Sequence, residues 1–407
     1  MSNAFEAIQI SDRVYWVGAI DWELRSFHGY LTKRGTTYNA YLIVADEITL
    51  VDTVKPAFMD EMLARIASVV DPSQISNIIS NHAEMDHSGA LPELIKRYHP
   101  NRIIASPQGA KALAAHYHWD VEVETAKTGD SLDLGGAQLR FVEARMLHWP
   151  DSMFAYLEGD GVLFTNDAFG MHLATSERFA DQVEETLWRR EAAKYYANIL
   201  LHFSPLVKRL LAQLPSLELD IAIIAPDHGP IWRENVMQIV ELYAHWAKQL
   251  PTRKALVIYD SMWRSTALMA QAVGEGLAAG GAEVRLLPLD GTHRSDVLTE
   301  LLDAGGLVVG SPTMNNQIYP TVADVMTYIK GLKPQNLVGA SFGSYGWSGE
   351  AVKHLDKQLE EMKVELAAPG FRVNYVPDAD ALASCRALGR KVAERLLAKV
   401  EEASSES

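Results

Sequence analysis

His82-Ala83-Glu84-Met85-Asp86-His87 places four metal-binding groups within six residues, directly after the apolar run Ile75-Ser76-Asn77-Ile78-Ile79. That run is short, rich in β-branched side chains and closed by Ser80-Asn81, so a buried strand is predicted. The ligand-rich segment is then the loop leaving the strand's carboxyl end, with Ser88-Gly89-Ala90-Leu91 opening a helix behind it. Imidazoles mixed with carboxylates suit first-row transition metals, whereas calcium takes oxygen ligands alone. A plain polar loop with Asp86 or Ser88 as a helix cap accounts for neither both histidines nor Glu84.

A metal site needs further ligands, and three residues are placed to supply them. His148 follows the strand-like Gln138-Leu139-Arg140-Phe141-Val142, and Asp167 follows Gly161-Val162-Leu163-Phe164-Thr165-Asn166. His228 follows Ile221-Ala222-Ile223-Ile224-Ala225, with Pro226-Asp227 between. Each lies just past a predicted strand, where open sheets collect functional groups. Any one alone reads as a packed or surface polar residue; three in the same structural position, downstream of the His82–His87 loop, read as ligands.

The order H-x-[EH]-x-D-H, then His, Asp and His, resembles the metallo-β-lactamase superfamily, as does Leu50-Val51-Asp52-Thr53. The resemblance implies an αββα sandwich with a two-metal site. Hydrolases of that superfamily usually carry a histidine where this chain has Glu84. The carboxylate makes the site harder and more anionic, which favours iron over zinc. With Glu84 the chain is similar to the flavodiiron proteins, or A-type flavoproteins, over nearly its whole length. Gly35-Thr36-Thr37-Tyr38-Asn39-Ala40-Tyr41, Leu147-His148-Trp149-Pro150-Asp151-Ser152-Met153 and Tyr195-Tyr196-Ala197-Asn198-Ile199 carry the same likeness.

Composition sets outer limits. The chain's 407 residues allow two or three domains. A hydrophobic content of 48% and a charged content of 22% are ordinary for a globular protein. The formal charge, 37 minus 52 or −15, argues against nucleic-acid and anionic-membrane partners. The lone Cys385 cannot form an internal disulfide, which fits a reducing compartment, and it excludes a four-cysteine rubredoxin-type module within this chain. Met1 to Ile10 lacks the basic start and apolar core of a signal peptide, and no apolar run approaches the ~20 residues of a membrane span. A cytoplasmic protein is expected.

Residues 9 to about 180 alternate short strands with turns and insert helices at 57–70, 89–98 and 108–117. Two helices are expected over 183–214 with Pro205 between them, and another from Trp232 to Gln249. After Leu250-Pro251-Thr252-Arg253 the pattern becomes strands at 255–259, 283–288, 306–310, 337–342 and 372–376. Helices at 265–279, 294–303, 320–331, 348–362 and 379–400 alternate with them. Five strands alternating with helices predict a doubly wound parallel sheet. The expected fold class is therefore α/β: a metallo-β-lactamase-like domain over 1–250, then a flavodoxin-like domain over 251–403. Residues 404–407 are expected to be a disordered tail, with fraying from Glu401.

The second domain carries its own chemistry. Ser261-Met262-Trp263-Arg264-Ser265-Thr266 precedes a helix, and hydroxyls with free N–H groups there suit a phosphate. No dinucleotide glycine motif or phosphate-binding lysine loop is present. The later loops Ser311-Pro312-Thr313-Met314-Asn315-Asn316 and Ser344-Tyr345-Gly346-Trp347-Ser348 would flank the switch point of a flavodoxin-like sheet. All three resemble loops of FMN-binding flavodoxin-like domains. Trp263 and Trp347 stand in small-residue loops and not at helical spacing, so ligand contact is expected of both. Arg264 occupies a position where related loops often hold a small or neutral residue; neutralising phosphate and docking a redox partner are both open to it.

The resemblance implies two irons and one FMN. One iron takes His82, Glu84 and His148, the other Asp86 and His228, and Asp167 bridges them. His87 stays open, because family members differ over whether it reaches the metal. Candidate catalytic residues are Trp347, His172, Tyr195 and Tyr196; of the adjacent tyrosines at most one can face the metal on a helix. His172 either lines the metal pocket or packs in the core, and His28 is expected to serve packing or a subunit contact. The implied reaction is reduction of dioxygen to water, of nitric oxide to nitrous oxide, or both. A separate rubredoxin or a reduced deazaflavin is the implied donor. Both cofactors should sit at strand ends, while the connection Gln249 to Arg253 reaches at most ~18 Å. The family resolves this with a head-to-tail homodimer, or a dimer of such dimers. A zinc hydrolase and a metal-free electron carrier are the rival readings.

Overall fold

The computed structural model describes residues 5–405. The chain divides into two units. The first comprises the chain up to His28, Thr32–Tyr195 and Pro205–Ala244; the second comprises Gly29–Leu31, Tyr196–Ser204 and the chain from His245 onward.

In the first unit a seven-stranded sheet runs in the order Ile8–Gln9, Val14–Trp16, Tyr41–Ile43, Ile48–Val51, Ile75–Ser80, Arg102–Ala105, Glu124–Thr125. Its first four strands are antiparallel and its last four parallel. Side chains alternate across it. Tyr41, Ile43, Val51 and Ile79 face one core, and Leu42, Leu50 and Ile78 face another. The first core is shared with a five-stranded sheet ordered Ser131–Asp133, Gln138–Glu143, Met153–Leu157, Val162–Phe164, Ile223–Ala225. The second is covered by the helices Met59–Ala67, Leu91–Tyr98 and Pro107–Tyr117. A sandwiched strand is covered on both sides, and all of Ile75–Ser80 but Ser76 is buried.

Two helical expectations are corrected. The helix expected from Trp232 begins only at Met237, because Trp232 is held in a bridge to Ile224 and Asn235 turns left-handed at φ 49°. The Trp232 indole instead donates to Phe169 O at 3.0 Å in the core. Pro205 does not separate the two helices over 183–214. It occupies the first turn of Ser204–Gln213, where its missing N–H costs nothing, and a wide turn over Tyr196–Leu200 makes the break.

The second unit is a parallel sheet ordered Glu283–Pro288, Lys254–Tyr259, Gly306–Gly310, Val338–Tyr345, with the last position filled by two short pieces. Phe371–Asn374, at the place of the strand expected over 372–376, and the unexpected Glu365–Leu366 both pair with Val338–Tyr345, with Pro369-Gly370 between the two pieces. Helices Ser265–Ala279 and Ala379–Ser405 cross closely. A Cβ on Gly389 would stand 2.2 Å from Val273 O, so the backbones meet with no room for a side chain. The last helix continues to Ser405, past the expected fraying at Glu401, because Arg395 ties Glu402 to it at 2.8 Å. The remainder of the expected tail, residues 406–407, lies outside the described residues. Leu31 N donates to Ser295 Oγ, and Asn198 links Ser295 O to the Tyr328 hydroxyl, which places both inserted pieces in this unit.

Candidate functional site

Four segments at strand ends of the first unit converge. His82 and Glu84 follow Ile75–Ser80, and Asp86 and His87 sit on the single turn Met85–Ser88, a short helix where a loop was expected. His148 follows Gln138–Glu143, Asp167 follows Val162–Phe164, and His228 follows Ile223–Ala225. All seven predicted ligands fall into two groups: His82, Glu84, His148 and Asp167, and Asp86, His87 and His228.

Asp167 faces both. Its Oδ2 lies 3.2 Å from His82 Nε2 and 3.0 Å from His148 Nε2. Its Oδ1 lies 3.3 Å from His228 Nε2 and 3.4 Å from His87 Nε2. Glu84 Oε2 completes the first group at 3.3 Å from both His82 and His148, and Asp86 completes the second at 3.3 Å from His228. Ligands about 2.1 Å from a metal stand about 3.4 Å apart at tetrahedral angles, so these separations match two coordination shells. Both oxygens of Asp86 and Asp167 and both nitrogens of His87 are buried without a hydrogen-bond partner. Such a deficit is costly unless cations offset it, and the donor set therefore fits two metal ions.

The electrostatics agree. Burial opposes charge throughout, yet the carboxylates hold His82 well above its ordinary pKa and His87 up at about 10. Asp167 and Asp86 are held low, despite burial, by the imidazoles around them. Without metal, the cluster keeps protons where cations belong. His87 is therefore protonated at pH 7, and a metal must displace that proton. Ferrous ion added to metal-free protein in weak buffer at pH 7 should release at least one proton per chain, with affinity rising as pH rises toward about 10. Uptake with no pH change would contradict the cluster's charge state.

In the second unit a cavity of about 580 Å³ opens where the strand order reverses, beside the ends of Lys254–Tyr259, Gly306–Gly310 and Val338–Tyr345. Met262, Trp263, Ser265, Pro312, Thr313, Asn315, Asn316, Ser344, Tyr345, Gly346, Trp347 and Ser348 line it. Trp263 and Trp347 are 89% and 90% exposed. Flat indoles beside amides, hydroxyls and a helix N-terminus fit a planar ring carrying a phosphate.

Residues 36–229 match the family described as ODP family beta lactamase, and residues 257–389 match flavodoxin. A nitric oxide reductase from Moorella thermoacetica is 47% identical, covering 96% of this chain and 99% of that protein. The structure of rubredoxin oxygen:oxidoreductase from Desulfovibrio gigas superposes with a TM-score of 0.95 at 42% identity, over 97% of this chain and 100% of that one. A flavodiiron protein from Giardia intestinalis superposes at 0.94 with 31% identity, over 98% of each chain. The chain belongs to the flavodiiron family. Its cofactors are FMN and a diiron centre. No helix among the described residues is long and apolar enough to cross a membrane.

Several expectations for this flavodiiron chain are refined by the geometry. Tyr195 packs 5.1 Å from His172 and 6.2 Å from His228, ring centre to ring centre. Tyr196 does not join them: its hydroxyl meets Ser204 Oγ at 3.0 Å and its ring packs on Trp246, because neighbours on a helix point about 100° apart. His172 lies beside the metal cluster, its Nδ1 2.9 Å from Thr36 Oγ1. Burial, then the neighbouring His228, hold its pKa well below the usual value, so it is neutral.

Of the expected flavin contacts, Ser261, Arg264, Thr266, Ser311 and Met314 stand outside the lining of that cavity. Ser261 Oγ accepts from Ala267 N at 3.3 Å, Thr266 meets Ser344 Oγ at 2.9 Å inside the wall, and Ser311 Oγ accepts from Tyr319 N at 2.9 Å. Arg264 sits exposed at the helix start with φ 67°, and Met314 belongs to a small hairpin with Gln317–Ile318. Ser344 and Tyr345 end a strand where a loop was expected.

Other residues take places that the sequence did not assign them, among them His28, for which packing or a subunit contact was expected. His28 reaches Glu84 Oε1 at 2.8 Å, and Asp151 Oδ2 lies 3.0 Å from His82 Nδ1. Thr37 O accepts from His228 Nδ1 at 2.5 Å, and Tyr375 and Val376 line the second unit's cavity. Only the spacing of Asp151 from His148 hinted at any of these.

Proposed function

We infer that the chain is a reductase of dioxygen to water, of nitric oxide to nitrous oxide, or of both. The reading rests on Asp167, whose two oxygens face the two halves of one buried ligand set, and on its family membership. His82, Glu84 and His148 would hold one iron and Asp86 and His228 the other, with Asp167 placed to serve both. When bound, the two ferrous ions and reduced FMN together supply the four electrons that dioxygen reduction needs. The protein's own contribution is positional. Asp151 and Thr37 O orient the His82 and His228 rings by their Nδ1 atoms. Phe27, with its ring centre 5.2 Å from that of His172, and the neutral His172 itself keep the surroundings of His228 apolar.

Protein grown in iron-replete medium should carry about two irons and one FMN per chain and consume at least one of the two gases when reduced. Full occupancy by zinc would leave a hydrolase as the better reading. The donor is a separate rubredoxin or a reduced deazaflavin, and turnover with each donor alone separates them. The working form is a head-to-tail homodimer or a dimer of dimers, a reading supported by the exposed Trp263 and Trp347, whose apolar rings lack cover.

Iron binding belongs to residues 1–250 and flavin binding to residues 251–403. A fragment of residues 252–403 should fold and bind FMN, with a lower melting temperature than the full chain, since it lacks the hydrogen bonds of Leu31 and Asn198 to Ser295. A colourless fragment that added FMN could not rescue would rule that boundary out.

A further inference from the structure

The non-ligating nitrogens of two metal-facing histidines each have an orienting partner: Asp151 for His82 and Thr37 O for His228. His87 has none at hydrogen-bond distance. The group facing its Nδ1 is Asp227 Oδ2, at 3.5 Å. We propose that Asp227 is the positioning residue that fixes the His87 ring, turning its Nε2 toward the second metal and so making His87 a ligand in this protein. The inference rests on the diiron reading above and adds to it.

Three observations carry it. First, the Asp227 side chain is fully buried and both its oxygens lack a hydrogen-bond partner among the described residues, so its acceptors are free for an imidazole N–H. Second, its main chain is pinned from both sides. Asp227 N donates to Asn166 O and Asn39 N donates to Asp227 O, each at 2.7 Å, so the carboxylate cannot drift away. Third, Asp52, a buried carboxylate outside the ligand set whose charge is felt by His87, is already engaged. Asp52 accepts from Asn81 N at 2.7 Å through Oδ1 and from Asn81 Nδ2 at 2.9 Å through Oδ2. Asp227 is thus the acceptor that remains. With Nδ1–H turned to it, Nε2 carries the lone pair on the side of Asp86 and Asp167, 3.4 Å from an oxygen of each.

The test titrates metal-free full-length protein with ferrous ion. It compares wild type, Asp227→Ala, Asp227→Asn, His87→Ala and the Asp227→Ala/His87→Ala double variant, reading both iron affinities and the electron paramagnetic resonance signal of the mixed-valent pair. Asp227→Ala should weaken one iron about 10- to 100-fold and alter the signal. Asp227→Asn, whose amide oxygen still accepts from Nδ1, should recover most of both. In the His87→Ala background, removing Asp227 should cost little more. Wild-type affinity and signal in Asp227→Ala, or losses that add fully in the double variant, would overturn the proposal. So would an Asp227→Asn protein as impaired as a folded Asp227→Ala, since charge and not orientation would then be at stake. Should Asp227→Ala fail to fold, the near-isosteric Asp227→Asn decides: wild-type-like iron binding supports orientation, and loss of one iron overturns it. Failure of the wild type to bind two irons would instead remove the diiron reading itself.

Discussion

Asp167→Ala is expected to lose iron from both positions and to abolish reduction of both gases, while FMN stays bound. The carboxylate is shared by two ligand groups, with 3.0 Å from Oδ2 to His148 and 3.3 Å from Oδ1 to His228. Removing it takes one donor from each metal and the anion that offsets the repulsion between them. What remains is a buried set of imidazoles with Glu84 and Asp86 alone to balance two cations. Deleting a group that merely orients a ligand costs about 10- to 100-fold in metal affinity; deleting a bridge from both shells should exceed that, taking turnover to background. The flavin cavity belongs to the other unit, with its own sheet and core, and contains no residue near Asp167 in sequence. Metal analysis, the flavin absorption band and gas consumption measured on one preparation check this. Two irons and undiminished turnover in Asp167→Ala would remove the bridge from the assignment.

The second large effect is recovery of activity from two inactive parents. One chain carries His148→Ala and Asp167→Ala and retains FMN; the other has its flavin loop disrupted over Ser261–Thr266 and retains iron. In a head-to-tail dimer each iron pair works with the flavin of the partner subunit, so the mixed dimer contains one complete site. Purified mixed dimers should regain up to half of the wild-type rate per dimer, since one of two sites is restored. If they hold both cofactors and reduce neither gas, electrons pass within one chain and the shared-site proposal falls. The exposed Trp347 gives a second handle, because a ring 90% exposed in the single chain should become protected from oxidation on dimerisation.

Much of the buried His, Asp and Glu cluster is legible in the chain itself. Its ligands lie at the ends of strands whose apolar runs are plain, and the spacing His82-x-Glu84-x-Asp86-His87 concentrates donors that no cap or turn requires. The strands at 283–288 and 306–310 and the helix over 265–279 fall where hydrophobic periodicity puts them, because each packs against one continuous core. The two-residue strand Glu365–Leu366 carries too short a pattern to be read from sequence, and it was not expected.

Tertiary structure alone decided which groups stand behind the ligands. Asp227 looks like a turn residue beside His228, yet the fold turns its carboxylate toward His87, 140 positions earlier, counting 227 minus 87. His28 gave no periodic or motif signal, and it meets Glu84 across 56 positions of chain. Tyr195 and Tyr196 are interchangeable in composition, and only the helix phase sends one toward His172 and the other to Ser204. The physical reason is common to all of them. Periodicity and donor spacing are local, so they report strands, helices and a first cluster of ligands. A contact between side chains on different elements depends on register and rotation, which only the packed core sets.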